Sequence, residues 1–372
     1  MTDKIKFIKG SGGPPPPPPT PYRAPDTLHS RSFATVQDLI SEGEIEGFAS
    51  ASKAQLTKGT TAYDNASLKD IFLNDTPILQ ETASNSSPVD TDFNFKDVVF
   101  KSRFGTSSQT ALSGIPAESR SPTGVGVIVT TSAPVTRQIT NTDVDAVIVT
   151  LTWPQIQVFG DEGDIRGDTV EYKIQIQHDS GGFVDKITAS VDGRTADAYQ
   201  RDHRIQLTSG FTTVDVRVVR VTADSTDTQR VNAFQFTSFQ EVIDNNSTYA
   251  NSAYTALRFD SKQFNRIPSR KYRIRGVKVR IPGAGASGTG TPTVDIQTGR
   301  IVYPSGYVFN GVMGAATYTN CPAMCLLDLL TNTRYGLGNH IVDSNIDLFS
   351  FVAASKYANE EVDDGTGSGA KE

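Results

Sequence analysis

Three carboxylates alternate with glycine or isoleucine near the start of the chain, in the stretch DLISEGEIEGF at residues 38–48. They are Glu42, Glu44 and Glu46. Two carboxylates held at a fixed separation in a cleft could act as an acid–base pair, but Gly43 and Gly47 work against rigid placement. The stretch also lacks the GxGxxG or Gly-Lys-Ser/Thr pattern of a phosphate loop. The residues therefore favour neither catalysis nor phosphate binding here.

A second acidic stretch is GDEGDIRGD at residues 160–168. Its carboxylates are Asp161, Glu162, Asp164 and Asp168. Hard oxygen ligands this close together can hold Ca²⁺, but the spacing does not match an EF-hand loop. The favoured interpretation is an acidic hairpin loop. The embedded Arg166-Gly167-Asp168 could be an adhesion tripeptide, although three residues in this order recur by chance.

The cysteines and histidines do not form a recognisable site either. Cys321 and Cys325 are four positions apart, which is not the C-x-x-C spacing of zinc or redox sites. On a helix, both are expected to be small core residues. The histidines are scattered at His29, His178, His203 and His340. The sequence therefore predicts no catalytic residue, no metal site and no cofactor, and the chain is not expected to be an enzyme.

Composition sets further limits. The formal net charge is −6, from 35 Lys+Arg and 41 Asp+Glu in 372 residues, which argues against sequence-specific DNA binding. No apolar run reaches the ~18 residues of a membrane span, and the N-terminus MTDKIKFIKG lacks the apolar core of a signal peptide. Synthesis in the cytosol without export is expected.

The chain then divides into elements that would position these residues. Residues 131–225 look like a β-sandwich of the immunoglobulin or fibronectin kind, because several strands recur at roughly ten-residue spacing. In TVEYKIQIQHDSGGF, alternate residues are apolar, which predicts a half-buried strand followed by a hairpin. The apolar residues are Val170, Tyr172, Ile174 and Ile176. Other short strands are expected in SLKDIFLNDTPI, with a turn at Asn74-Asp75, and in FNFKDVVFKSRFG.

The most basic stripe lies in SRKYRIRGVKVRIPG, residues 269–283. Its cations are Lys271, Arg273, Arg275, Lys278 and Arg280. The apolar alternation changes phase at Gly276, which predicts a β-bulge there. The net negative charge favours a protein interface or a solvated strand face over nucleic acid for this stripe.

The end of the chain is predicted to be helical. In CPAMCLLDLLTNTRYGLG, residues 321–338, a stripe is formed by Cys325, Leu326, Leu329 and Leu330, and Gly336 is expected as a C-cap. A second helix is predicted near residues 344–359, with Ser344 and Asp347 as a capping-box variant. At the other end, Pro14–Pro19 form six consecutive prolines, which predict a polyproline II arm that acts as a ligand, a tether or a spacer.

Three segments together carry a resemblance to a known family. They are ISEGEIEG at residues 40–47, LNDTP at 73–77 and RYGLG at 334–338. In this order the chain resembles the tip attachment protein J family, the central hub or host specificity proteins of lambda-type siphophage tails, over roughly residues 33–364. Glu44 stands where relatives often have proline, and the hexaproline arm is not expected of the family. The family also continues for several hundred residues beyond the second helix.

The resemblance implies a mainly β architecture, with a hub β-barrel split by the inserted sandwich and two short helices at the C-terminal end. The predicted segments are a disordered polyproline arm at 1–30, the first part of the barrel at 31–124, the inserted sandwich at 125–230, return strands at 231–318, a helical segment at 319–364 and a polar tail at 365–372. The turn at residues 40–47 would be a structural joint of the barrel.

The implied function is structural. The chain would be the N-terminal part of a homotrimeric hub at the distal tip of the virion tail, closing the tube and transmitting host binding to DNA release. Expected partners are a tail tube or distal tail protein, the tape measure protein, other tip proteins and a distal fibre or receptor-binding region. DNA would pass through without sequence-specific binding, and the bacterial surface would be contacted only indirectly.

Specific residues follow from this interpretation. The candidate interface residues are Ile40, Glu42, Gly43, Ile45, Gly47, Lys271, Arg273, Arg275, Lys278, Arg280, Pro14 and Pro19. The residues with an expected structural role are Gly276, Arg334, Tyr335, Gly336 and Gly338. Two other classes stay open, a surface adhesin-like binding protein and a tail-associated cell-wall hydrolase.

Overall fold

The computed structural model describes residues 20–31 and 33–362, without the side chains of 116–119. Strands make up 39% of the chain and helices 14%, so the predicted mainly β class is confirmed. The chain forms two compact units. We call Glu118–Ile243 with residues 20–30 the sandwich unit, and Arg31–Ala117 with residues 244–362 the flanking unit.

The described residues contain 24 strands and four α-helices. The first eleven strands are β1 (Phe33–Glu42), β2 (Ile45–Phe48), β3 (Ile71–Leu73), β4 (Thr76–Pro77), β5 (Val99–Phe104), β6 (Pro116–Ser119), β7 (Thr123–Ile128), β8 (Val135–Ile139), β9 (Ala146–Trp153), β10 (Gln157–Phe159) and β11 (Ile165–Arg166). The next are β12 (Asp168–His178), β13 (Val184–Gly193), β14 (Tyr199–Gln206), β15 (Val214–Arg220), β16 (Arg230–Val231) and β17 (Gln235–Asp244). The last are β18 (Ser252–Asp260), β19 (Arg270–Tyr272), β20 (Ile274–Val277), β21 (Val279–Pro282), β22 (Thr293–Val294), β23 (Ile301–Val302) and β24 (Met313–Thr317). The helices are α1 (Ala49–Lys53), α2 (Thr61–Leu68), α3 (Pro322–Thr331) and α4 (Leu348–Ala358).

The sandwich unit packs two antiparallel sheets face to face. One has the order β13-β12-β15-β8 and the other β14-β9-β17-β6, with β7 also pairing β17. The alternation predicted for β12 is confirmed, since Val170, Tyr172, Ile174 and Ile176 are all buried. Trp153 at the end of β9 stacks on Phe234 with 5.0 Å between ring centroids. Aromatic and β-branched side chains thus fill the space between the sheets.

The sequence prediction for the arm needs correction in its described part. Residues 20–30 are not a free arm, because they lie against the sandwich unit; Arg23, for example, forms a parallel bridge with Ile165. The remainder of the predicted arm, with Pro14 and Pro19, lies outside the described residues, as does the predicted polar tail. The sandwich unit begins before and ends after the predicted 125–230, and the predicted segment boundaries remain predictions.

The flanking unit contains several small sheets. Their orders are β1-β18-β5, β19-β3-β4, β2-β20, β21-β24 and β22-β23. The expected barrel is not seen as a closed sheet among the described residues, because many strands here are only two to four residues long. One apolar cluster includes Phe48, Tyr63, Ile71 and Leu73, and it joins the first half of this unit to β18.

Two helices in the flanking unit were not predicted. The expected strand in SLKDIFLNDTPI is wrong at its start, because Ser67 and Leu68 end α2 and the strand begins at Ile71. Thr60 caps α2 by accepting a hydrogen bond from the Tyr63 amide. The predicted turn is confirmed, since Asn74 and Asp75 both have positive φ and separate β3 from β4.

The two C-terminal helices are confirmed, but the predicted stripe of α3 and the predicted capping box of α4 are wrong. In α3, Met324 and Leu327 are buried, whereas Leu326 and Leu329 are 49% and 51% exposed. Cys325 is exposed rather than a core residue, while Cys321 is buried. For α4, Asp347 alone is the N-cap and accepts from the amides of Phe349 and Ser350. Ser344 lies in a short 3₁₀ turn before it.

Candidate functional site

The turn at residues 40–47 meets the turn at 334–338, and we call the two together the motif junction. Glu42 forms an ion pair with Arg334, and Ser252 Oγ donates to Glu42 Oε2 at 3.2 Å. A Cβ atom on Gly43 would lie 3.2 Å from the Tyr335 ring. Two segments far apart in the sequence, each resembling the same family, therefore come together in one place.

The other two carboxylates of the turn share one cation. Lys278 Nζ lies 2.8 Å from Glu44 Oε1 and 3.6 Å from Glu46 Oε2, and the Lys278 amide donates to the Glu44 carbonyl. Burial alone would lower the pKa of Lys278, but its bonds to these carboxylates outweigh burial and raise the pKa above its usual value. The acidic cluster is thus neutralised within the flanking unit, which does not suit a general acid–base pair.

The glycines of the first turn are required by close contacts. Gly43 has φ +94° and Gly47 has φ +136°, a region that L side chains rarely adopt. A Cβ on Gly47 would lie 2.3 Å from Tyr63 Oη. A Cβ on Gly105 would lie 2.4 Å from the Gly43 carbonyl oxygen. Ile45 is buried, while Ile40 is half-buried at a register shift between β1 and β18. The turn at residues 40–47 is therefore packed closely at Gly43, against Gly105, and at Gly47, against Tyr63.

The second turn closes the C-terminal end of α3. Gly336 was expected as a left-handed C-cap, and this is wrong, because Asn332 is the C-cap residue and Gly336 is not among the positive-φ residues. Instead, the Leu337 amide donates to Leu329 O and the Gly338 amide to Asn332 O, both at 2.9 Å. A Cβ on Gly338 would lie 2.1 Å from the Thr331 carbonyl oxygen. Glycine is needed here for close backbone approach.

Tyr335 fixes the second turn to the side of α3. Its hydroxyl donates to Asp328 Oδ2 at 2.5 Å. Burial, followed by this bond to the carboxylate, raises the pKa of Tyr335. The aromatic ring is thereby held beside Gly43 of the first turn.

The basic stripe is paired within the flanking unit. Arg273 binds Asp70 at 2.7 Å and Glu81 at 2.9 Å. The other pairs are Lys271 with Asp75, Lys278 with Glu44 and Arg280 with Asp343. Arg275 is 3% exposed, lies over the Tyr318 ring and donates to the Gln297 carbonyl. The stripe is therefore not an open basic field, and Lys271 is its most exposed member at 66% of the side chain.

The β-bulge expected at Gly276 is wrong. The register between β2 and β20 runs without a shift from Ile45↔Val277 to Phe48↔Ile274. A Cβ on Gly276 would meet nothing within 4 Å. Within β20, Arg275 is buried while Ile274 and Val277 are half-buried on opposite faces of the strand, so the apolar parity changes between them without an inserted residue.

A charged cluster that was not identified from the sequence ties β1 to β19. Arg270 donates from Nε and Nη2 to the two carboxylate oxygens of Asp38 at 2.5 and 2.8 Å, and Tyr272 Oη donates to Oδ2 at 2.6 Å. Hydrogen bonding from Arg270 is the main cause that lowers the pKa of Asp38. Asp38 lies in the quoted stretch, but its partners lie far along the chain.

The other acidic and sulfur candidates do not converge. Asp164 accepts from the Tyr22 amide, Asp161 from Gln229, and Asp168 from Arg230 and Asn232. Asp168 is therefore occupied inside the sandwich unit, which does not suit a free adhesion tripeptide. Over residues 20–31 and 33–362, no group of three or more His, Cys, Asp or Glu side chains could hold a metal ion. None of the helices in this part of the chain has the length and apolar character needed to cross a membrane.

The sandwich unit matches a known family model. Residues 119–245 match the family model of the FNIII-A domain of tip attachment protein J, so the fibronectin-like sandwich is confirmed. Over nearly its whole length the chain is similar to phage proteins named tip attachment protein J. It is 31% identical over 360 residues to tip attachment protein J of Escherichia phage SECphi4, and 27% identical over 362 residues to that of Escherichia phage SECphi27.

These matches cover 96% and 97% of this chain but only 28% and 27% of the two relatives. The chain thus spans about a quarter of the length of these curated relatives. Solved structures add no argument. A GH115 4-O-methyl-α-glucuronidase and a chain of bacteriophage PM2 both reach a TM-score of 0.20, at 11% and 12% identity. The match to the glucuronidase spans 39% of this chain and 19% of the glucuronidase chain. The match to the phage PM2 chain spans 63% of this chain and 74% of the PM2 chain.

Proposed function

We propose that this chain is a structural component of a siphophage tail tip, as part of a trimeric hub that closes the tail tube. The observation that carries the proposal is the similarity, over 96% of the chain, to a protein named tip attachment protein J. The motif junction supports it, because the segments that resemble the family are locked together by charge pairs and glycine contacts. A locked joint suits a load-bearing scaffold better than a substrate cleft.

In this role the chain sits at the distal tip of the virion tail. It anchors a tail tube or distal tail protein, the tape measure protein and other tip proteins, and it transmits binding by a distal fibre or receptor-binding region to DNA release. DNA passes through the hub without sequence-specific contacts, consistent with the net charge of −6. The bacterial surface is contacted only indirectly.

The candidate interface residues divide by their accessibility. Glu42, Lys278 and Arg280 are paired inside the flanking unit, so their role in assembly is to hold the shape of the joint. Lys271 and its partner Asp75 keep 66% and 70% of their side chains exposed, and they are the members of this set best placed for a direct contact. Pro14 and Pro19 remain interface candidates outside the described residues.

Two measurements test the proposal. Immunogold labelling of intact virions with antibodies raised against this chain should mark the distal end of the tail, and label on the capsid or along the tube would overturn the assignment. Antibodies preabsorbed with the purified chain provide the control. Light scattering of the purified chain should give a mass near three times 40.1 kDa, and a complex with other tail tip proteins should contain three copies of the chain. A single copy of the chain in both samples would contradict the trimer.

A further inference from the structure

Residues 20–30, which we call the strap, bind the sandwich unit largely through main-chain hydrogen bonds. The Ile165 amide donates to Tyr22 O, and the Ala24 amide donates back to Ile165 O, both at 2.8 Å. The Tyr22 amide donates to Asp164 Oδ1 at 2.7 Å. The strap thus adds a short parallel pairing beside β11, the mode by which extended peptides add to sheets.

Arg194 is the second anchor of the strap. Its side chain is 3% exposed, and Nη1 lies 2.7 Å from Asp26 Oδ1 and donates to Ala24 O at 2.8 Å. The amides of Thr27 and Leu28 donate to the Arg194 carbonyl. Arg194 Nε and Nη2 are buried without a hydrogen-bond partner. Because a buried cation is costly unless it is paired, Arg194 depends on the strap for its neutralisation.

The surface of the sandwich unit is shaped to the strap. A Cβ on Gly193 would lie 2.4 Å from Thr27 Oγ1, and a Cβ on Gly163 would lie 3.3 Å from Pro21. Leu28 packs against the sandwich core. The Gln200 amide donates to Ser30 Oγ at 2.7 Å. The site is therefore a groove for one extended peptide, with a buried arginine for an acidic side chain and an apolar position two residues later.

The strap reaches this groove by a long covalent route. After residue 30 the chain enters the flanking unit at Arg31 and returns to the sandwich unit only at Glu118. To the groove, the strap is therefore a tethered ligand and not the neighbouring segment of its own sandwich. An identical strap from a second copy would make every one of these contacts, and elements of this kind are those exchanged in domain swapping.

We propose that in the assembled protein the groove of each copy takes the strap of a second copy. This inference rests on the proposed trimer. Where the trimer brings a neighbouring strap within reach of the groove, that strap competes with the chain's own at a high effective concentration. The exchange would join the copies through their sandwich units without any additional contact surface.

The experiment is a disulfide placed across the strap and the groove in the full chain. Arg23 and Ile165 face each other in a parallel bridge, a spacing that a disulfide can span. Arg23→Cys and Ile165→Cys are combined in a Cys325→Ser background, because Cys325 is exposed. After mild oxidation, a non-reducing gel should show most of the protein as covalent oligomers that reduction returns to 40.1 kDa. Each single-cysteine variant sets the background.

Every outcome decides the inference. Oxidised protein that runs only as a single chain would show that the strap stays in its own groove, and the exchange would be overturned. Failure to form a disulfide, with both thiols still free, would show that the strap does not dock at Ile165 and would overturn it as well. Light scattering separates this from the function. A trimer with intrachain disulfides leaves the hub proposal intact, whereas a monomer removes the trimer itself.

Discussion

Glu42 and Arg334 form an ion pair that joins the turn before β2 to the turn after α3. Their side chains are 39% and 46% exposed, so solvent screens the attraction and its net contribution is modest. The pair matters chiefly as a positional restraint, because it keeps Gly43 packed closely against the Tyr335 ring.

The Glu42–Arg334 pair should show a small but measurable coupling. Glu42→Gln and Arg334→Gln are each expected to cost about 0.5–1 kcal/mol, with the double variant less destabilised than the sum by about 0.5 kcal/mol. Hydrogen exchange of the amides at residues 40–47 measures this locally. The exposed pair Lys271–Asp75 is the matched control, with coupling near zero. Strict additivity at Glu42–Arg334 would show that the turns are held by packing alone.

Gly47 should be intolerant of a side chain. Gly47→Ala combines an unfavourable φ of +136° with a Cβ placed 2.3 Å from Tyr63 Oη, and a loss of about 2 kcal/mol or more is expected. Gly59→Ala is the control, since Gly59 also has positive φ but nothing within 4 Å of an added Cβ, and should cost only about 1 kcal/mol.

A second variant separates contact from conformation at Gly47. Tyr63 Oη is buried with at most one weak bond, to the backbone of Phe48, so Tyr63→Phe alone should cost no more than about 1 kcal/mol. Combined with Gly47→Ala it should recover the part of the loss that comes from the clash. Thermal unfolding of the full chain gives the comparison. If Gly47→Ala and Gly59→Ala lost the same stability, the clash with Tyr63 would carry no weight.

His203 should make the sandwich unit sensitive to mild acid. Burial, and then the nearby Arg201, lower its pKa from 6.5 to about 4, and Nε2 lies 2.7 Å from the Tyr172 hydroxyl. A lowered histidine pKa means that the unfolded chain takes up the proton first. Stability is therefore full above pH 6.5 and falls as the pH drops from 6.5 towards 4, by on the order of 2 kcal/mol.

The chain has one tryptophan, Trp153, and it lies in the core of the sandwich unit. Its fluorescence therefore reports unfolding of this unit by urea. His203→Gln should flatten the dependence of stability between pH 6.5 and 4, while the exposed His29 provides a control substitution, His29→Gln. An unchanged slope in the His203 variant would assign the acid sensitivity to carboxylates instead.

The parts of the fold that were predicted correctly are those that a local sequence pattern determines. The alternation in β12 fixes which residues are buried without reference to any partner, and Tyr172 and Ile174 are indeed in the core. In α3 the same reasoning failed, because apolar residues surround the helix and its period does not select a face. Tertiary contacts chose Met324 and Leu327 for burial.

Ion pairs between residues far apart in the chain could not be predicted from the sequence. The acidic turn and the basic stripe were each identified, but no local pattern shows that Lys278 belongs to Glu44 or Arg334 to Glu42. The phase change at Gly276 was misassigned because a cation, Arg275, takes a buried position in β20 that an apolar pattern does not reveal. Some helix caps could be predicted from residue type, since Thr60 before α2 is a typical N-cap residue.

Asp38 should be more important to stability than the exposed charges of the same region. Asp38→Asn removes a carboxylate that accepts two bonds from Arg270 and one from Tyr272, and a loss of about 1–3 kcal/mol is expected. Lys271→Gln, in the same strand as Arg270, should change the free energy of unfolding by less than about 0.5 kcal/mol. Hydrogen exchange across β1 and β19 measures both.

The pH dependence of Asp38 gives an independent check. Its pKa is lowered in the folded chain, so its contribution is present above its usual pKa and is lost as the pH falls through the folded value. The protection of β1 should therefore decline in strongly acidic solution in the parent chain. Asp38→Asn should remove that part of the decline. Equal acid sensitivity in both proteins would assign the effect to other carboxylates.

Arg194 should control whether the strap stays bound, whichever copy supplies it. Arg194→Met keeps much of the apolar volume but removes the ion pair with Asp26 and the bond to Ala24 O. Because the strap would then be held mainly by the pairing at Ile165, trypsin should cleave after Arg23 at least about tenfold faster, as a lost charge-assisted contact of about 1.4 kcal/mol implies when cleavage follows the population of open strap.

Mass spectrometry of the first tryptic products measures this rate at Arg23. Arg137→Met is the matched control, because Arg137 is partly exposed in the same unit and donates to the carbonyl of its neighbour Thr136. Asp26→Asn should reproduce part of the Arg194→Met effect, since it removes the other half of the ion pair. Equal cleavage in all variants would mean that the pairing of Tyr22 and Ala24 with Ile165 holds the strap without help from Arg194.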